Sequence, residues 1–246
     1  MDFDEKMIDQ IRQAGRIAAL TGAGISKESG IPTFREAQTG LWAQYEPTEL
    51  ATPQAFRRNP ELVWEWYQWR RGLVREAQPN PGHKALVQMA AVVPQFSLIT
   101  QNVDGFHQMA GSRDVIELHG SIMRTKCFTE GVVVEDWQND GAVPPKCPRC
   151  GGLLRPDVVW FGENLPVEAI GRAVEAAESV EVFFSIGTSA VVEPAASLPR
   201  VAKQAGGLVI EINPDATPLT PLADYHLKGP SGVVLPDLIQ QVWDLG

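Results

Sequence analysis

The run Arg16–Leu20 (RIAAL), passing straight into Thr21–Ser26 (TGAGIS), decides the fold. A short apolar run that ends at a turn reads as a buried strand. A glycine turn at the carboxyl end of a first strand lets backbone N–H groups approach a pyrophosphate, and the helix start behind it adds a positive dipole. On its own, Gly-x-Gly is also an ordinary tight turn, and the third glycine of the dinucleotide fingerprint is not at its place. Three further apolar runs, Phe96–Ile99, Val180–Ile186 and Leu208–Ile212, repeat the strand pattern. Segments with helical spacing lie before or between them: Phe3–Ala14, Pro81–Ala91, Val167–Ala177 and Ala195–Ala205. Strands alternating with helices predict an α/β fold, a Rossmann-like parallel sheet with helices on both faces.

Two stretches break that rhythm. Residues 39–78 are rich in aromatics and arginine, with a helix expected over Pro60–Ala77, and residues 122–166 are punctuated by proline and glycine. Both read as insertions that build a small second module, leaving 1–38, 79–121 and 167–246 as the Rossmann-like domain. The chain has 246 residues, so it sits near the upper size of one domain with a satellite. Its net charge is −9, from 21 basic and 30 acidic residues, which lacks the field that nucleic acid or an anionic membrane attracts. No apolar run approaches a membrane span of about 18 residues. The start MDFDEK is no secretory or mitochondrial leader, so a reducing, cytoplasmic location and a monomer are expected. Three cysteines cannot build a disulfide scaffold.

The loop continues as TGAGISKESGIPTFR and then TGLW, which resembles the nucleotide loop of the sirtuins, the NAD-dependent protein deacylases. Further sirtuin-like motifs follow in order: TQNVDGFH (Thr100–His107), LHGS (Leu118–Ser121), VVWFGENLP (Val158–Pro166), GTSAVVEPA (Gly187–Ala195) and INP (Ile212–Pro214). The resemblance runs from about Ile8 to Leu238. It implies that NAD is consumed as a co-substrate while the acyl group of an acylated lysine passes to ADP-ribose and nicotinamide leaves.

The resemblance also assigns roles. His119 is the base for the ribose hydroxyls, and an imidazole with a pKa near 6.5 suits that task at neutral pH. Asn102 assists at the glycosidic centre, Gln101 contacts the ribose, and Asp104 with the backbone of Val103 holds the nicotinamide amide. Gly22, Ala23, Gly24 and Ser26 belong to the phosphate loop, Phe34, Arg35 and Trp42 to a flap and its flank. Gly187, Thr188, Ser189 and Asn213, at strand ends, suit phosphate and adenosine-ribose contacts, and Ser231 closes a loop against adenine. Val158, Val159, Trp160, Phe161 and Gly162 form a β-like segment that pairs with the substrate peptide. His83, His107 and His226 are expected to be structural.

Tyr67 and Arg70, three apart on a helix, share a face, where a phenol and a guanidinium can converge on a carboxylate. They match the Y-x-x-R signature of the sirtuin subgroup that removes succinyl, malonyl and glutaryl groups, and Ala51 matches its small residue that makes room for the longer chain. A deacylase preferring acidic acyl groups is expected, with some deacetylation besides. The competing readings are ADP-ribosyl transfer to protein from the same NAD site, a non-catalytic NAD-sensing module, and a dehydrogenase. The last needs an acidic residue about twenty residues after the glycines, near where Glu46 and Glu49 stand, but Thr39–Trp42 interrupts the expected second strand.

Sirtuins carry a zinc ribbon of two cysteine pairs, and here Cys127, Cys147 and Cys150 are present while Glu130 stands where the fourth cysteine belongs. Two states remain open. Three thiolates, closed by Glu130 or water, bind structural zinc. Alternatively, the ribbon is metal-free and packed around Val132, Val133 and Trp137.

Overall fold

The structure, a computed structural model, describes residues 1–32, 45–46, 50–138 and 141–245. In chain order, α1 (Glu5–Gln13) leads into β1 (Arg16–Thr21) and the short α2 (Ala23–Lys27). Then come α3 (Pro53–Arg58), α4 (Pro60–Glu76), α5 (Pro81–Val92), β2 (Gln95–Thr100) and α6 (Phe106–Ala110). The strands β3 (Ile116–Glu117), β4 (Gly120–Cys127) and β5 (Leu154–Val158) precede α7 (Val167–Ser179) and β6 (Val182–Ile186). A 3₁₀ turn at Ala195–Ser197, α8 (Leu198–Gln204), β7 (Leu208–Asn213), β8 (Tyr225–Lys228) and α9 (Ser231–Trp243) complete the chain.

Six strands form one parallel sheet in the order β3-β2-β1-β6-β7-β8, and β4 with β5 make a separate antiparallel pair. Alternate residues along a strand face opposite sides, and both sides here are apolar. Ile17 and Ala19 of β1 join α1, α5 and α9 through Met7, Ile11, Leu86, Met89 and Leu238. Ala18 and Leu20 join α7 and α8 through Ala173, Ala177, Leu198 and Ala202. Burial on both faces explains why these strands read as continuous apolar runs. Helices α1, α4 and α5 are tied at their starts by side chains. Asp4 accepts from Met7 N at 2.9 Å, Asn59 from Leu62 N at 3.1 Å and Asn80 from Gly82 N at 2.9 Å.

A third apolar cluster joins the two irregular stretches, with Leu50, Phe56, Trp66 and Tyr67 on one side and Ile122, Val158 and Trp160 on the other. Segments far apart in sequence thus share one core beside the sheet.

Several expectations shift. The third apolar run starts its strand at Val182, because Val180 caps α7 and Glu181 is exposed, accepting from Gly15 N at 2.7 Å and Arg16 N at 2.9 Å. The helix expected over Ala195–Ala205 is a 3₁₀ turn followed by α8, with Pro199 in its first turn. The β-like segment Val158–Phe161 is strand only at Val158. Beyond it, the backbone donates from Val159 N to His119 O at 3.0 Å and from Phe161 N to Ala51 O at 2.9 Å. Among the described residues, no helix is long and apolar enough to cross a membrane.

Candidate active site

Loops leaving parallel strands at their carboxyl ends gather along one edge, and the crevice falls where strand order reverses. Here that point lies between β1 and β6, where Gly22–Gly24 meets Gly187–Thr188. Gly24 N donates to Gly187 O at 2.7 Å, and Gly22 N to Ile186 O at 3.0 Å. The glycines are demanded by this loop-on-loop contact. A Cβ on Gly22 would lie 2.8 Å from Gly187 O, and one on Gly24 2.6 Å from the same atom. Gly187 itself has φ +58 and would place a Cβ 2.5 Å from Ile25 N. Ala23 opens α2 directly behind the turn.

A polar chain organises the loop after β2. The Asn102 amide Nδ2 donates to Gly22 O at 3.0 Å and to Ser26 Oγ at 3.1 Å. Ser26 Oγ donates in turn to Asp104 Oδ2 at 2.7 Å. Because the Gly22 carbonyl only accepts, the Asn102 nitrogen is fixed and Oδ1 is the accepting end of its amide. Asp104 also accepts from Phe106 N at 3.0 Å. Burial raises the Asp104 pKa, while its Phe106 and Ser26 hydrogen bonds and the Arg70 charge pull it back. Val103 O accepts from Ile122 N at 2.8 Å, which joins this loop to β4.

His119 follows β3. Its Nδ1 lies 2.8 Å from Gln101 O, a carbonyl that can only accept, so Nδ1 carries the proton and Nε2 the lone pair. Burial lowers its pKa, partly offset by the Gln101 bond, so the ring is neutral at physiological pH. The Gln101 side chain donates to Thr188 Oγ1 at 3.0 Å, and Asn213 Nδ2 donates to Thr188 O at 2.8 Å. Ser189 is exposed beside them. The expected NAD groups from the ends of β1, β2, β3, β6 and β7 therefore stand together. Ser231 stands at the start of α9, its hydroxyl donating to Glu28 Oε1 at 3.2 Å. Its side chain thereby ties the start of α9 to the end of α2.

Ala51, Tyr67, Val158 and Trp160 are buried in the shared core. Tyr67 Oη accepts from Trp160 Nε1 at 2.9 Å. Burial pushes the Tyr67 pKa up to about 12, so the hydroxyl stays protonated. Burial lowers the Arg70 pKa, opposed by the neighbouring Tyr67 and Asp104 side chains, and the guanidinium lies 5.4 Å from the Trp66 ring. Arg70 thus senses both Tyr67 and the Asp104 loop, a link that connects the helix to the sheet edge. Phe161 is exposed and Gly162 turns the chain at φ +86. Phe34, Arg35 and Trp42 lie outside the described residues, as does Glu49. His83 and His107 are fully buried with ring centroids 4.9 Å apart, and His226 bonds Asn213 O, in keeping with structural roles.

Sequence reasoning missed Arg155 and gave Glu163 no role. Arg155 Nη1 and Nη2 donate to Glu163 Oε1 and Oε2 at 2.5 and 3.0 Å, and Glu163 Oε2 also accepts from Trp160 N at 2.8 Å. The quoted run VVWFGE includes Glu163 but not Arg155, for which the sequence carries no such motif.

Away from this crevice, Cys127, Glu130, Cys147 and Cys150 bring one ligand atom each within 4.8 Å of one another. Cys127 Sγ and Cys150 Sγ are 3.4 Å apart as free thiols, near the roughly 3.8 Å edge of a tetrahedral zinc–thiolate site. Backbone N–H groups of Glu130 and Gly152 approach Cys127 and Cys150 Sγ at 3.4 Å each. The set fits zinc and could bind it. Arg149 Nε pairs with Glu130 Oε2 at 3.3 Å, and a Glu130 carboxylate oxygen stands with the three thiols as the fourth candidate donor. The metal-free packing expected around Val132 and Val133 is corrected, since both are exposed. Val134 is the buried valine, beside Trp64, Leu154 and Trp137.

Residues 22–194 match the Sir2 family. An NAD-dependent protein deacylase of Aquifex aeolicus is 58% identical over 213 residues, covering 86% of this chain and 89% of that protein. NAD-dependent protein deacylase 1 of Archaeoglobus fulgidus is 52% identical over 241 residues, covering 98% of each. Among solved structures, a Sir2 homolog–NAD complex superposes with TM-score 0.92 at 51% identity, covering 99% of this chain and 95% of that one. A Sir2 bound to acetylated peptide gives 0.86 at 29%, covering 96% and 97%. On this extent of match, the chain belongs to the Sir2 family.

Proposed function

We propose that the chain is an NAD-dependent protein-lysine deacylase that prefers succinyl, malonyl or glutaryl groups. NAD supplies the electrophilic ribose carbon that accepts the acyl group as nicotinamide departs. His119 holds Nε2 free as the base for a ribose hydroxyl, because Gln101 O keeps the proton on Nδ1. Asn102 presents Oδ1, braced through Gly22 O and Ser26. Gln101, Thr188 and Asn213 make a linked row for ribose and phosphate, with Gly22, Ala23, Gly24, Gly187 and Ser189 beside it. Val103 and Asp104 serve the carboxamide, and Val158–Gly162 lies along the peptide. In this reading residues 1–38, 79–121 and 167–246 bind NAD, while 39–78 and 122–166 form the module that selects substrate. Zinc on the three cysteines and Glu130 is structural, since catalysis belongs to His119.

The observation that carries the acidic preference is Tyr67, a lasting donor buried in one cluster with Ala51, with the Arg70 charge acting on both Tyr67 and Asp104. A carboxylate is the group that satisfies such a pair. The net charge of −9 supports a cytoplasmic enzyme without nucleic-acid or membrane partners, and the reading takes it as a monomer. The test is kcat/KM on acetyl- and succinyl-lysine peptides side by side. Succinyl is expected to lead by tenfold or more, as a hydrogen bond to a charged group contributes about 1.5–3 kcal/mol that acetyl cannot supply. If Arg70→Ala leaves the ratio unchanged, carboxylate recognition is wrong.

A further inference from the structure

Trp160 sits at the end of a rigid chain of contacts that the reaction has not used. Arg155, 2% exposed, lays its guanidinium 3.2 Å from the centroid of the Trp160 ring. The same guanidinium grips Glu163 through both nitrogens and also donates from Nε to Pro156 O at 3.3 Å. Glu163 in turn takes the Trp160 backbone N–H at 2.8 Å. The indole is therefore held at its face by one charge and at its backbone by the other. Its far edge carries a donor with no acceptor capacity, and that N–H points at Tyr67 Oη, 2.9 Å away.

This arrangement dictates what the Tyr67 hydroxyl can do. An oxygen already accepting from the indole directs its own proton elsewhere, and hydrogen bonds in sequence strengthen one another. The neighbouring cation, Arg70, can only donate. Among the described residues the Tyr67 hydroxyl's hydrogen bond is the one it accepts from Trp160, and an anion drawn by the Arg70 charge supplies an acceptor for its proton. We infer that the Trp160 indole N–H is a specificity-determining group that turns Tyr67 into an oriented donor for an acyl carboxylate, with Arg155 and Glu163 as its positioning residues. This rests on the acidic-acyl reading and deepens it, since a preference so far assigned to Tyr67 and Arg70 now depends on a third side chain.

The experiment compares acetyl- and succinyl-lysine peptides with the full-length wild type, Trp160→Phe, Tyr67→Phe, their double variant, Arg70→Ala and Glu163→Gln. Trp160→Phe is expected to raise the succinyl KM about three- to tenfold more than the acetyl KM, the range of one net hydrogen bond. The excess appears in KM because the carboxylate contact is alike in ground and transition states. In the Tyr67→Phe background, the excess disappears, since the indole then has no hydroxyl to orient. Glu163→Gln shows the same bias at about two- to fivefold, through a loosened indole. Should Trp160→Phe fold poorly, benzothienylalanine at position 160 keeps the ring shape and removes only the N–H. Equal losses on both peptides, or a succinyl penalty that persists without the Tyr67 hydroxyl, overturn the inference and leave Trp160 a packing residue. A wild type without succinyl preference, or one whose preference ignores Arg70→Ala, overturns the acidic-acyl reading itself. The two failures are thereby told apart.

Discussion

Replacing Gly24 with alanine puts a methyl group 2.6 Å from Gly187 O and 2.7 Å from Gly187 Cα, both backbone atoms that cannot swing aside. Ordinary contact begins near 3.4 Å. The loops after β1 and β6 must then separate by about 0.8 Å, which also stretches the 2.7 Å bond from Gly24 N to Gly187 O. Overpacking of this kind costs about 1–3 kcal/mol, which in a chain of this size lowers Tm by roughly 3–10 °C. The consequence for ligand binding is sharper, because Thr188 anchors Gln101 and Asn213 while Gly22 O anchors Asn102. Titration calorimetry with NAD is expected to show Kd rising about tenfold or more, the loss of one or two hydrogen bonds at displaced positions. Gly171→Ala is the matched control. Gly171 is exposed in the interior of α7 with nothing within 4 Å of the added methyl, so it gains about 0.5–1 kcal/mol of helix stability and leaves NAD binding alone. A Gly24→Ala protein that binds NAD as the wild type does, at unchanged Tm, would refute the loop-contact account.

His119→Ala is expected to retain NAD binding within about threefold while losing at least a hundredfold in turnover, the usual contribution of a positioned base. Loss of binding in parallel would recast His119 as a ligand contact. Because burial lowers the His119 pKa and the neutral ring is the active form, the acid limb of kcat/KM should turn below pH 6.5, and a midpoint above that value contradicts the assignment. Burial also holds His83 down at about 4 and His107 at about 3, the latter pushed further by His83. The unfolded chain, with imidazoles near 6.5, takes up protons that the fold refuses. Stability is therefore full above pH 6.5 and lost as pH falls towards 4, by roughly 3 kcal/mol for His83 alone. Thermal scans between those limits should show His83→Gln flattening the slope, and an unaltered slope speaks against it. Elemental analysis should find one zinc per chain, lost in Cys147→Ser along with several degrees of Tm, while wild-type protein with no zinc would favour a metal-free ribbon.

The sheet was legible because β1, β2, β6 and β7 are buried on both faces and therefore read as apolar runs. β3 has two residues, too few for any period, and was invisible. α9 carries Pro236 in its interior, which reads as a break although the helix continues past it. Gly22 and Gly24 were expected to make room for phosphate, whereas the structure sets them against Gly187, a contact between residues more than 160 apart that no local pattern encodes. The same limit hid Arg155. An arginine followed eight residues later by a glutamate is unremarkable until the fold closes both around Trp160. Tyr67 and Arg70 stand out through a resemblance, since their spacing alone suits a solvated helix face better than a binding pair. Val132, Val133 and Val134 are indistinguishable by composition, and only the turn of the ribbon decides which one is buried.

The central claim is that this chain consumes NAD to free acylated lysine. Mass spectrometry of a reaction with NAD and a succinyl-lysine peptide measures it directly. The account predicts one nicotinamide and one succinylated ADP-ribose for each lysine freed, with NAD untouched when peptide is left out. NAD lost without the peptide, with ADP-ribose appearing on protein instead, would contradict it.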